Sequence, residues 1–272
     1  LKGLPGTTER PYNTRSIPSL ETAVKICVCV KRVPATTARI AIGDNHQIDP
    51  AGVDFVLNPY DEYAVEQALQ VKEASEGAVT AYCFGSSDTQ KELRTVLAMG
   101  ADEANLLQNE NAPHADGATT AKVLADAVRE GGFDLLFFGK QAVDRDQHGV
   151  GPAVATLLGI PCITEVVNFE LQGDKVVCER EVEGGRETIE APLPCAVTCM
   201  KGLNEPRFAT LKGIMAAKRK PLNVIEVAPE SAAVEVVELS MPPDRPAGRI
   251  VGEGAAAVPE LVAALRDEAK VL

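Results

Sequence analysis

The sequence predicts an α/β fold on a parallel sheet, with an antiparallel hairpin extension. Three observations carry this reading. Three short, nearly continuous apolar runs, "VKICVCV" (24–30), "AVTAYCF" (78–84) and "FDLLFFG" (133–139), have the pattern of strands buried on both faces. Helical patterns separate them, and strand–helix–strand order at these lengths makes βαβ units. After Ile160 the texture changes to strand-like runs broken by "QGD" and "EGG", both hairpin turn signals.

Each element has its own signature. In "YDEYAVEQALQVKEAS" (60–75), Ala64, Val65, Ala68 and Leu69 fall on one helical stripe. "TQKELRTVLAMGA" brings Leu93, Val96 and Leu97 together in the same way. "DGATTAKVLADAVREGG" starts at the N-cap residue Asp116 and stops at Gly131-Gly132. "PAVATLLG" (152–159) is a short helix with proline in its first turn. The antiparallel extension runs from Ile163 onward, with "CAVTCM" (195–200) as its last long strand. The loop "GLNEPRFATLKGIM" (202–215) is unusually apolar for a connection and is followed by the basic cluster Lys218, Arg219 and Lys220. A Pro- and acid-rich stretch from 228 to 248 reads as an extended arm, and 257–270 as an amphipathic helix with Leu261, Val262 and Leu265 on one face. Three regions result: an N-terminal arm (1–23), an α/β domain (24–222), and a C-terminal arm and helix (223–272) that wraps over a neighbour.

Composition bounds the function. The chain has 272 residues, 45% hydrophobic and 24% charged, enough for a globular core. A formal net charge of −12 argues against nucleic acid as the main partner. No apolar run reaches the length of a bilayer span, and residues 1–23 have no continuous apolar core of the signal-peptide kind. Seven cysteines are present without CxxC pairs or histidine clusters, so buried thiols in a reducing compartment are expected and no metal site is.

Ligands bind parallel α/β sheets at the carboxyl ends of the strands. The loops after Val30, Phe84 and Phe138, together with "LNPYDEY", are therefore the candidate site. No GxxxxGK[ST] occurs, and "KRVPATT" stands where GxGxxG would follow the first strand. The third strand enters "GKQAVDRDQHGVGPAVATLLG", a Gly-punctuated loop leading to a helix N-terminus. Two readings stand at this point: backbone N–H groups that cradle a phosphate, or an ordinary Gly-rich turn. Asp144 and Asp146 form only a weak DxD pair, and His148 is a lone histidine in a polar loop. No nucleophile–base–orienter set is present, which favours a nucleotide-holding partner protein over a self-contained enzyme.

"VKRVP", "LNPYDEYAVEQALQVKE", "LAMGAD", "GKQAVDRD", "EREVEGGRETIEAPLP" and "LNEPRFATLKGIMAAKRKP" resemble, in order, the β subunits of electron transfer flavoproteins. The resemblance spans residues 24–222. It implies a Rossmann-like sheet related to the adenine-nucleotide α-hydrolases. It also implies a heterodimer with an α subunit that carries the redox-active FAD. Such a pair shuttles electrons from flavin dehydrogenases of the acyl-CoA dehydrogenase type, in fatty acid β-oxidation, toward a quinone oxidoreductase. The subunit is then an electron-carrier component, cytoplasmic in a bacterium and in the mitochondrial matrix in a eukaryote.

Carried over by position, the nucleotide site falls on Cys29, Asn58, Pro59, Tyr60, Asp61 and Phe84, and on Gly139, Lys140, Gln141, Ala142, Val143, Asp144, Asp146, Gln147, Gly149 and Val150. The resemblance gives AMP as the ligand. FAD is the alternative, because the "VGP" ending of the loop is similar to electron-bifurcating members, which oxidise NADH. Leu203 falls on the anchoring leucine of the dehydrogenase-recognition loop, with Asn204, Glu205, Pro206 and Arg207 beside it and Lys218–Lys220 steering an acidic partner. Two other classes are weaker. An ATP-cleaving α-hydrolase would show SGGxDS after the first strand. A homodimeric stress-type nucleotide module would lack the hairpin and the recognition loop.

Overall fold

The computed structural model describes residues 23–44, 47–229, 234, 236–244 and 247–272. The N-terminal arm expected over 1–23 lies almost wholly outside them.

Three expected apolar runs form β1 (Lys25–Cys29), β4 (Ala78–Gly85) and β6 (Leu135–Gly139). Between β1 and β4 lie β2 (Arg32–Pro34) and β3 (Phe55–Leu57), a small antiparallel pair, and α1 (Pro59–Ser75). Then follow α2 (Gln90–Met99), β5 (Glu103–Gln108) and α3 (Gly117–Arg129), the last capped by the Asp116 side chain accepting from the Thr119 N–H. After β6 come α4 (Val150–Leu158), β7 (Cys162–Gln172), β8 (Lys175–Val182), β9 (Gly185–Pro192) and β10 (Cys195–Cys199). α5 (Leu211–Ala217) and β11 (Leu222–Glu226) complete the sheet domain.

Nine strands form one sheet in the order β11-β5-β4-β1-β6-β10-β7-β8-β9. From β11 to β7 every neighbour is parallel, and only the β7–β8 and β8–β9 pairs are antiparallel. The hairpin turns fall where "QGD" and "EGG" placed them, with Gly173 and Gly184 at positive φ. Two expectations need correction. "CAVTCM" is not the last strand of the antiparallel extension: β10 inserts between β6 and β7 and pairs parallel with both. Its five residues are all buried, which a central slot requires and an outer hairpin strand does not. Residues 223–226, read as the start of the C-terminal arm, form β11 together with Leu222 instead.

The sheet separates two apolar clusters. Ile26 and Val28 of β1 point to the face covered by α1, α2 and α5; Cys27 and Cys29 point to the face covered by α3 and α4. This strict alternation, apolar on both sides, is why β1 reads as one continuous hydrophobic run.

Residues Ala41–Ile48 and Glu238–Leu272 make a second, smaller unit. It contains a bridge between Ile42 and Ile48 and the short helix α6 (Val258–Ala263). Leu261 and Val262 of the expected apolar face are exposed, and Arg249 pairs with Glu268 at 2.8 Å. Among the described residues no helix is long and apolar enough to cross a membrane.

Candidate functional site

From β1 the chain moves to β4 on one side and to β6 on the other, so the sheet's switch point lies at the carboxyl ends of these strands. A cleft of about 790 Å³, counting its open mouth, sits there. Cys29, Asn58, Asp61, Phe84, Gly139, Lys140, Gln141, Ala142, Gln147 and Val150, all expected at the site, line it. Pro59, Tyr60, Val143, Asp144, Asp146 and Gly149 lie beside it without forming its wall.

Asp61, near the start of α1, binds the floor together. It accepts from the Lys31 N–H at 2.7 Å, the Asn58 amide at 2.9 Å and the Gly139 N–H at 3.2 Å. Burial pushes its carboxyl up to about 7, against the pull of these donors. Asn58 also donates to the Gln141 carbonyl at 2.8 Å and accepts from the Val143 N–H at 3.1 Å. These two side chains, expected as ligand contacts, thus spend their bonding capacity on the strand ends. Gly139 is required here, because a Cβ would run into the Asp61 carboxylate and the Tyr60 backbone.

The rim carries three cations, two of them facing carboxylates. Lys31 reaches Asp144 at 2.6 Å, and Lys140 lies 3.6 Å from Glu165, which also faces His148 at 3.8 Å. Arg145 crosses the mouth, donating to the Ala115 carbonyl at 2.9 Å and the Pro113 carbonyl at 2.6 Å. Asp146 accepts from the Gln141 amide at 2.6 Å. The Asp144–Asp146 pair therefore splits between two loop ties and does not form one acid site. Phe84, Phe138 and Leu124 supply apolar wall, and Val150 and Gly151 bring the N-terminus of α4 to the cleft. Cations, helix N–H groups and an apolar wall are what a nucleotide needs.

The thiols near the cleft are not activated. Cys29 is held well above the usual thiol range by its hydrogen bond with Cys27 and by burial, and burial raises Cys83 likewise. Among the described residues no three His, Cys, Asp or Glu side chains could hold a metal ion.

Sequence reasoning missed several lining residues. Lys31 and Arg145 stood in plain view as cations in strand-end loops, overshadowed by the neighbouring carboxylates. Thr120 and Leu124, one turn apart on α3, and the segment around Ala112–Ala115 carry no local signal, because they reach the cleft from a neighbouring βα unit.

The 202–215 segment is a second candidate surface. Leu203 is half-buried and packs against the main core. Asn204 donates to the Tyr63 carbonyl at 3.1 Å, and Arg207 pairs with Glu66 at 2.7 Å and with Glu73. Three of the five expected docking residues thus face inward. The exposed apolar surface lies further on: Phe208 is 93% exposed and Leu211 78%, with Ile214 and Met215 beside them on α5. Exposed Lys201, Lys212, Lys218 and Arg219 accompany them in the chain. Lys220, expected to steer a partner, instead turns inward to the carbonyls of Leu97 and Ala101 at the end of α2.

Residues 46–230 match the family model "Electron transfer flavoprotein domain". The chain is 40% identical over 258 residues to electron transfer flavoprotein subunit beta of Bacillus subtilis, covering 92% of this chain and all of that protein. This chain belongs to the electron transfer flavoprotein β-subunit family. The mitochondrial β subunit of Oryza sativa subsp. indica is 38% identical over 259 residues, again 92% of this chain and all of the relative. The acryloyl-CoA reductase electron transfer subunit gamma of Anaerotignum propionicum is 35% identical over 207 residues, 75% of this chain and 78% of that one. The Bacillus subtilis and Oryza sativa relatives are both β subunits.

Proposed function

We propose that this β subunit, paired with its α subunit, holds AMP in the switch-point cleft and docks a flavin dehydrogenase through α5 and Phe208. Electrons then pass from the dehydrogenase to the α-subunit FAD and on to a quinone oxidoreductase. The observation that carries the reading is the cleft itself. Lys31, Lys140 and Arg145 stand around it, the N-terminus of α4 opens into it, and the Cys29 thiol in its wall is held well above the usual thiol range. AMP has no redox chemistry. Bound there, it adds stability by engaging only the folded state. The residues around it act by position: Asp61 and Asn58 fix the strand ends, Arg145 spans the mouth, and the cations offset phosphate charge.

The docking reading moves the anchor expected at Leu203 to Phe208 and Leu211. An apolar anchor rimmed by cations suits an apolar pocket with acidic surroundings on the dehydrogenase. The C-terminal arm and α6 would contribute their exposed apolar side chains to the α subunit.

Coexpression with the α subunit, followed by denaturation and chromatography of the released nucleotides, tests the ligand. One FAD and one AMP per heterodimer is the expected result. Two FAD and no AMP would replace this reading with a bifurcating carrier that oxidises NADH, the alternative that the "VGP" loop ending suggests. No nucleotide beyond the α-subunit FAD would overturn both.

A further inference from the structure

The segment that presents Phe208 is fastened to α1 by one guanidinium. Arg207 donates from Nε to Glu66 Oε2 at 2.7 Å and from Nη2 to Glu66 Oε1 at 3.0 Å. The same group grips Glu73 through Nη1, and through Nη2 at 3.2 Å. The Arg207 N–H adds a bond to Glu66 Oε2 at 3.2 Å. Glu66 and Glu73 stand two turns apart on one face of α1, so a single side chain bridges a long stretch of helix. Glu66 is only 4% exposed, so its position is set by packing before any partner arrives.

A forked guanidinium fixes direction as well as distance, which an ammonium does not. The residue after this clamp is the most exposed large apolar side chain among the described residues, Phe208. Behind it, the Thr210 side chain caps α5, accepting from the Gly213 N–H at 3.0 Å. An anchor already ordered before docking loses less entropy on binding, and this shows in affinity.

We propose that Arg207 is a positioning residue for docking: its double fork onto Glu66 and Glu73 holds Phe208 and Leu211 in presenting geometry and so sets how tightly the flavin dehydrogenase binds. The proposal rests on the docking reading above. It assigns the Asn204–Arg207 stretch to the support of the contact surface, one layer behind the contact itself.

The test uses the purified αβ complex and an acyl-CoA dehydrogenase reduced by its acyl-CoA, following electron arrival at the α-subunit flavin. Arg207→Lys keeps the charge and loses the fork. Glu73→Gln removes the exposed half of the clamp while Glu66 stays paired, so folding is preserved. Phe208→Ala removes the presented ring. The two clamp variants should raise the half-saturating dehydrogenase concentration by about three- to tenfold, with the maximal rate within about twofold and nucleotide content unchanged. A merely structural role would lower the melting temperature without moving that concentration, and this result overturns the proposal. If Phe208→Ala raises the concentration and neither clamp variant does, docking stands and the clamp idea falls. If none of the three moves it, the docking reading itself is wrong and the proposal goes with it.

Discussion

At Asp61 one buried carboxylate joins the end of β1, the start of α1 and the end of β6. Replacing it with alanine orphans the N–H groups of Lys31 and Gly139. Asp61→Ala should cost about 2–3 kcal/mol and release the nucleotide, both measurable by urea unfolding and nucleotide assay of the complex. The effect has a defined pH dependence. Burial raises this carboxyl to about 7, so between its ordinary value and 7 the folded protein holds a proton that the unfolded chain does not. The contribution is therefore full at low pH and weakens as pH rises through 7. The stability gap between wild type and Asp61→Ala should be wider at about pH 5 than at about pH 8. This residue was legible in the sequence as part of "LNPYDEY", because strand ends in such sheets face ligands. Its inward bonding was not legible, since three separate segments must meet before the donors exist.

At the scale of elements, the clamp between α1 and the 202–210 segment gives a second titration of opposite sign. Burial raises the Glu66 carboxyl, but the hydrogen bonds from Arg207 and Gln70 more than offset it, leaving it below its ordinary value; Arg207 also lowers Glu73. Stability from such groups is complete above the ordinary carboxylate range and lost as pH falls through their depressed values. Arg207→Gln should cost about 1–2 kcal/mol at neutral pH, because the clamp is partly exposed, with the loss fading as pH falls below the ordinary carboxylate range, as thermal melts across that range would show. The elements themselves were unevenly legible. β1, β4 and β6 announced themselves because both their faces are apolar. β5 did not, because "EANLLQ" carries Glu103 and Asn105 among its apolar residues. β11 sits at the sheet edge with its side chains mostly exposed, so its pattern resembled that of an arm. The insertion of β10 is a choice of partner strand, and no local pattern encodes it.

Across the whole molecule, a cleft built from two βα units would make a bound nucleotide part of the fold. Saturating AMP, at about a hundred times its Kd, should raise the stability of nucleotide-depleted complex by about 2.7 kcal/mol, and adenosine, lacking the phosphate, should do much less. Differential scanning calorimetry with both ligands checks this. Equal effects would remove the phosphate from the account of the cationic rim.

The slot filled by β10 has a consequence for how the chain comes into being. During synthesis β6 emerges with one edge unpaired, and more than fifty residues follow, including the entire hairpin, before β10 is available to occupy it. The Lys140 N–H, which donates to the Cys199 carbonyl at 2.9 Å, must wait equally long for its acceptor. One wall of the cleft is therefore finished from the far side of the sequence. A nascent chain halted before residue 195 would present an open apolar strand edge to the cell, a template for wrong pairing. Late closure thus makes the hairpin's prompt formation a condition of safe biogenesis, apart from anything it does in the mature complex.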